Sequence, residues 1–176
     1  MKKVALFSVA VIAALLAGCS SCPTKPDWIN KGGAAFPKDK KMIYGVGMAK
    51  DIKSESLRRT TSDDRAIAEA SRQISVMSTS LMRDYMSSAS AAETDKSRGE
   101  QYVESTVKTF SSNILSGVKI ADRWDNGKTA YSLAELDLTD IKSAADKDNQ
   151  LSIQAKEYIK SNAESALDKL DKEQLK

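Results

Sequence analysis

The dipeptide Asn126-Gly127, set between GVKIADRW and TAYSLAELDL, constrains the fold more than any other stretch. Both flanking runs are rich in β-branched and aromatic residues, and both alternate. Asn-Gly at the junction favours a type I′ turn, whose two central residues need positive φ, so residues 117–138 are expected to form a β-hairpin. In regular alternation Val118, Ile120 and Trp124 share one face, while Tyr131 and Leu133 alternate with Ala134, Leu136 and Leu138. A hairpin alone is marginal in water and needs a third strand or a helix on its apolar face.

Upstream, KMIYGVGMA (41–49) supplies that strand. Met42, Tyr44, Val46 and Met48 give it one bulky face, and Ile43, Gly45, Gly47 and Ala49 one small face, where another backbone can approach closely. From Glu55 to Ser88 the period becomes helical, with Ile67, Ala70, Ile74, Met77, Leu81 and Tyr85 three or four apart and Ser54 or Ser62 placed to cap the start. SSASAAETDKSRG (87–99) has no bulky apolar residue and reads as a loop or frayed helix end. Residues 100–116 fit either a helix or a strand. The stretch from Thr139 to about 172 has no Pro or Gly. It reads as one amphipathic helix of roughly 50 Å, capped by Thr139 or Asp140 and long enough for its far end to break or project. The fold class is therefore α+β: a small antiparallel sheet (41–49 and 117–138) packed by long helices (about 55–88 and 139–172).

The N-terminus carries an address. Lys2 and Lys3 precede thirteen residues, Val4 to Leu16, with Ser8 the one polar member. A spanning helix needs about 20 apolar residues, so the run is too short to cross and has the parts of a secretory signal. Its exit, Leu16-Ala17-Gly18-Cys19, resembles the lipobox of bacterial lipoproteins. That resemblance implies cleavage by signal peptidase II after Gly18, a diacylglycerol on the Cys19 sulfur, and a further acyl chain, such as palmitate, on its amine. Ser20 in place of the Asp retention signal implies the outer membrane. The alternative is an ordinary signal with Cys19 incidental. Residues 1–18 are thus read as signal peptide, 19–27 as a lipidated tether containing Pro23 and Pro26, and 28–176 as one domain. Trp28, at its edge, is expected to dock on the fold. Cys22 is a free or capped thiol in the tether, or a site for palmitate or for a bond to another chain.

Composition excludes several functions. The chain has no histidine, so His-dependent triads and His-type zinc sites cannot be built from it. Without Lys2 and Lys3, Lys+Arg falls from 27 to 25 against 24 Asp+Glu. A net charge near +1 is no footprint for nucleic acid. YGVGMAK lacks the third glycine of a dinucleotide fingerprint, and no phosphate-binding Gly-Lys-Ser/Thr loop or nucleophile elbow occurs. Glu135 and Asp137, two apart on a strand, point the same way and could hold a cation or act as acid and base, but a solvated strand face explains them better. Asp146 and Asp148 form a further carboxylate pair; Asp63-Asp64 read as solvated charge near the helix start, and Arg58 and Arg59 as helix surface. No catalytic residue, metal ligand or cofactor is assigned.

Three pieces in order, PDWIN (26–30), FPKDKKMIYGVGMAK (36–50) with the Ala-rich helix after it, and LSGVKIADRWDNGKTAYSLAELDL (115–138), resemble the LPP20 family of bacterial outer-membrane lipoproteins. The resemblance implies helices on an antiparallel sheet and no catalytic motif; family members are envelope or surface proteins, some linked to motility. The expected function is non-enzymatic: membrane attachment through Cys19 with protein partners or self-association, and no nucleic acid. The alternative is a lipoprotein holding a small or amphipathic ligand between helix and first strand. A carboxylate hydrolase ranks last.

Overall fold

The computed structural model describes residues 24–37, 41–89 and 96–174. A short helix α1 (Trp28–Lys31) and a 3-10 turn (Gly32–Ala35) precede β1 (Met42–Lys50). Then follow α2 (Glu55–Ala89), α3 (Lys96–Leu115), β2 (Lys119–Asp125), β3 (Thr129–Asp137), α4 (Leu138–Lys147) and α5 (Ile153–Gln174). The three strands form an antiparallel sheet in the order β1-β3-β2. The α+β class expected from the sequence is observed, and residues 100–116 resolve as helix.

The small face of β1 decides where α2 lies. A Cβ at Gly47 would stand 2.1 Å from the Ser62 carbonyl oxygen and 2.3 Å from the Ala66 nitrogen; one at Gly45 would stand 2.2 Å from the Ala66 oxygen. Only hydrogen at these two positions lets the helix backbone lie directly on the strand. Ala66 and Ala70 take the helix side of that contact, and both are fully buried. Past the sheet the stripe enlarges to Ile74, Met77 and Leu81, which pack with Phe110 and Ile114 of α3 and with Ile159, Ala163 and Leu167 of α5 in one hydrophobic cluster. Each large side chain so buried contributes about 1.5–3 kcal/mol. Of the expected stripe, Ala70, Ile74, Met77 and Leu81 pack, while Ile67 is 37 % exposed. An isoleucine would hold α2 off the glycines.

Four further local expectations are corrected. The hairpin is not type I′, since Gly127 has φ +86° while Asn126 does not have positive φ. The turn closes instead through the Asn126 side-chain oxygen, which accepts from the N–H groups of Lys128 and Thr129, and the Asp125 carboxylate, which accepts from Gly127 N–H. Second, the register of β2 on β3 shifts between Ile120 and Asp122. This bulge puts Ile120 opposite Ala134 and Trp124 opposite Tyr131, so the two do not share a face. Third, the expected 139–172 helix is broken at 148–152. The buried Asp148 carboxylate accepts from Gln150 N–H and from Asn113 Nδ2, turning the chain, and Ser152 Oγ caps α5 by accepting from Ala155 N–H. Fourth, Asp137, not Thr139 or Asp140, caps α4 by accepting from Thr139 N–H at 2.7 Å. Ser54 caps α2 through Leu57 N–H, while Ser62 lies buried inside that helix.

Both sheet edges are guarded. On β1, the Tyr44 carbonyl accepts from Gln73 Nε2 and the Met48 carbonyl from Arg65. On β2, the bulge is followed by Arg123, whose N–H donates to the Asp122 carboxylate. Such devices oppose strand addition from a neighbour.

The glycine contact is testable. Gly47→Ala places a methyl against fixed helix backbone and is expected to cost about 3 kcal/mol or more in urea unfolding. Gly33→Ala, whose Cβ would meet the Tyr44 ring at 3.3 Å, should cost far less because that ring can shift.

Candidate interaction surfaces

Two features of the surface are built by specific residues. The first is the sheet face opposite α2. Its residues are the bulky set of β1 with Tyr131, Leu133, Glu135 and Asp137 of β3. Leu133 is 2 % exposed in the middle of this face, which therefore has a cover. Residues 24–36 supply it. Trp28 is buried, and its indole N–H donates to Asp122 Oδ2 at 2.8 Å. Phe36 stacks on Tyr44 with ring centroids 4.3 Å apart, and Lys25 Nζ lies 5.6 Å above the Tyr131 ring, beside Trp124. The chain thus enters at the hairpin end of the sheet and runs across it toward the start of β1. The docking expected for Trp28 is observed. Its partner Asp122 was not foreseen, because the bulge sets which way that side chain points.

Between α2 and the hairpin lies a polar clamp. Asp63 receives two bonds from the Arg123 guanidinium, at 2.8 and 3.0 Å, and one from Ser132 Oγ at 2.6 Å. Ser62 and Ser132 hydroxyls meet at 2.7 Å. Arg58, 5 % exposed, donates to Asp125 at 2.9 Å and to the Ile52 carbonyl. Burial alone would raise the Asp63 carboxyl, but the hydrogen bonds from Arg123 and Ser132 and the arginine's charge outweigh it and hold the group below the usual carboxylate range. Asp63 and Arg58 are thus fastenings, not the solvated surface expected for them.

The second feature is an open groove of about 580 Å³ where the end of α2 meets the start of α5, lined by Tyr85, Ser88, Ile153, Glu157, Tyr158 and Asn162 among others. The Tyr85 and Tyr158 rings lie 5.6 Å apart, and Ile153 is 77 % exposed. Ile153 lies outside the expected core stripe, two residues from both Leu151 and Ala155, but nothing in the sequence marked it as part of a groove.

The remaining candidate residues sort plainly. Leu16, Ala17, Gly18, Cys19 and Cys22 lie outside the described residues. Glu135 and Asp137 do share the outer sheet face, but Asp137 is committed to its cap. Its hydrogen bonds from Thr139, first the hydroxyl and then the N–H, hold its carboxyl low. Asp146 pairs with Lys160 on the surface, and Asp148 is buried at the helix break. Among the described residues no group of His, Cys, Asp or Glu converges as a metal site. The ligand chamber considered between helix and first strand has no room beside the glycines, where α2 backbone already touches β1. Met77 and Met82 are buried in the core.

A model of the LPP20 lipoprotein family matches residues 26–137. The chain belongs to the LPP20 lipoprotein family. The LPP20 match begins at Pro26, two residues before Trp28, and takes in the cover apart from Thr24 and Lys25, the whole sheet, α2 and α3. It ends at Asp137, the cap of α4, so the groove is half inside it (Tyr85, Ser88) and half beyond it on α5. No curated protein matches the chain. LPP20 membership makes this a membrane-anchored envelope lipoprotein, of a family not known for enzymes. Among the described residues no helix is long and apolar enough to cross a membrane.

The clamp carries a pH signature. Asp63 has a lowered folded-state pKa, so its contribution is present above the unfolded value near 4 and is lost as pH falls through the folded value. Asp63→Asn should therefore cost about 1–2 kcal/mol in urea unfolding at pH 7. The difference from wild type should close as the pH is taken below the usual carboxylate range.

Proposed function

We propose that the protein is a lipid-anchored accessory of the outer membrane that works by protein–protein contact without catalysing a reaction. Cys19, freed by cleavage after Leu16-Ala17-Gly18, carries the lipid, including an amide-linked acyl chain such as palmitate. Two or more chains on one residue hold a protein firmly, whereas one binds reversibly. Ser20 supports the outer membrane as the destination. Association with a flagellum or another surface structure fits what the family resemblance implies.

The observation that carries the contact reading is the groove at Tyr85, Tyr158 and Ile153. It is open and shallow, with an apolar residue standing 77 % exposed at its rim. Small-molecule sites bury most of their ligand's surface, whereas protein interfaces centre on aromatic and aliphatic anchors with a polar rim. The second reading, a small or amphipathic ligand between helix and sheet, loses support at the glycine contact.

Two measurements test this. Mass spectrometry of the mature protein should find a triacylated Cys19 as residue one, and Cys19→Ser should move the chain out of the membrane fraction. A photo-crosslinking residue at Ile153 in intact envelopes should yield a discrete protein adduct, either with another polypeptide or with a second copy. The same probe at exposed Lys108 should yield none. Lipid-only adducts at Ile153, or equal adducts at both positions, contradict the reading.

A further inference from the structure

Charge is unevenly placed along the fold. The chain emerges at Lys25, at the hairpin end of the sheet, where Lys25 sits over Tyr131. The same end holds the β1–α2 turn and the hairpin tip, joined by Asp51 N–H donating to the Lys128 carbonyl. Lys25, residues 50–59 and residues 125–128 together carry six cations (Lys25, Lys50, Lys53, Arg58, Arg59, Lys128) and three acids (Asp51, Glu55, Asp125). Each acid already has a basic neighbour: Asp125 pairs with Arg58, Glu55 with Arg59, and Asp51 lies 4.0 Å from Lys50. This end is therefore +3 in a mature chain near +1, which leaves the remainder near −2. Met48 and Leu57, 44 % and 56 % exposed, flank it on the sheet and helix sides.

Tether length fixes what this end faces. Thr24 lies five residue steps past Cys19, a span of at most about 17 Å. We propose that the hairpin end of the fold is a membrane-docking surface: Lys25, Lys50, Lys53 and Lys128 rest on the acidic headgroups of the bilayer that holds the anchor, with Met48 and Leu57 at the interface. The proposal rests on the anchor reading. Its physics is that of a basic patch beside a lipid chain, where charge and acyl insertion act together. The domain then stands on its sheet end with α2 directed away. The thirty residues from Leu57 to Ser87 carry the groove about 45 Å farther out, at 1.5 Å per residue. A groove held there is clear of lipid and open to a protein.

The test uses the full mature lipoprotein, with Cys22→Ser, in vesicles containing headgroup-quencher lipid. A fluorophore is placed on Lys128→Cys or on Ser87→Cys, and Cys19 acylation is verified by mass in each sample. In phosphatidylglycerol-containing vesicles the probe at 128 should be quenched several-fold more than the probe at 87. Adding Lys25→Gln, Lys50→Gln and Lys53→Gln, all exposed, or raising the salt, should shrink that contrast, as should phosphatidylcholine alone. Equal quenching at both sites on acylated protein overturns the docking surface and leaves the anchor standing. An unmodified Cys19 overturns both.

Discussion

The fold depends on a contact without side chains. At Gly45 and Gly47 the backbone of α2 lies on β1, and no other residue leaves room for it. This fixes which face of the sheet is inner. Ile43, Ala49, Ala130, Ser132, Ala134 and Leu136 follow from it by strand alternation, and all six are buried. It also fixes the height of α2, so that Ser62 reaches Ser132, Asp63 reaches Arg123, and Arg58 reaches Asp125. A larger residue on the strand would separate all three pairs at once. Farther along, the same helix leaves the sheet and needs bulk, and its stripe changes from Ala66 and Ala70 to Ile74, Met77 and Leu81.

The opposite face of the sheet is covered by residues 24–36. Trp28, Phe36 and Lys25 engage Asp122, Tyr44 and Tyr131 in turn. The LPP20 match includes Trp28 and Phe36 of this cover and stops where α4 begins. The outer layer formed by α4 and α5 is tied back by Lys41, whose ammonium contacts Asp168 and Glu164, and by Lys169 with Asp84. The fold thus has one end where the hairpin meets the β1–α2 turn and another where helices alone meet.

Much of this was legible in the sequence because it depends on local period. The alternation of 41–49, the three-and-four spacing from Ala70 to Leu81 and the Asn-Gly junction each specify an element without reference to the others. The rest depends on partners distant in the chain. The bulge at 120–122 adjusts β2 so that Asp122 can meet Trp28 and Arg123 can meet Asp63, and no property of KIADRWD alone announces it. The break at Asp148 has no Gly or Pro. Its cause is a carboxylate that bonds Gln150 N–H and an asparagine thirty-five residues earlier. Ile153 lies off the apolar stripe of this stretch, two residues from both Leu151 and Ala155, and is exposed. The hairpin turn was placed correctly and typed wrongly because Asp125 and Asn126 side chains replace the backbone geometry that Asn-Gly usually supplies. The resemblance to a lipobox falls on residues that lie outside the described structure.

The central claim is that α2 touches β1 backbone to backbone. Nuclear Overhauser spectroscopy on the 20–176 chain tests it most directly. Strong cross-peaks are predicted from the Gly47 Hα protons to the amide proton of Ala66, and from the Gly45 Hα protons to the Ala70 amide and methyl. Their absence, with Ile67 rather than Ala66 facing β1, would contradict the account.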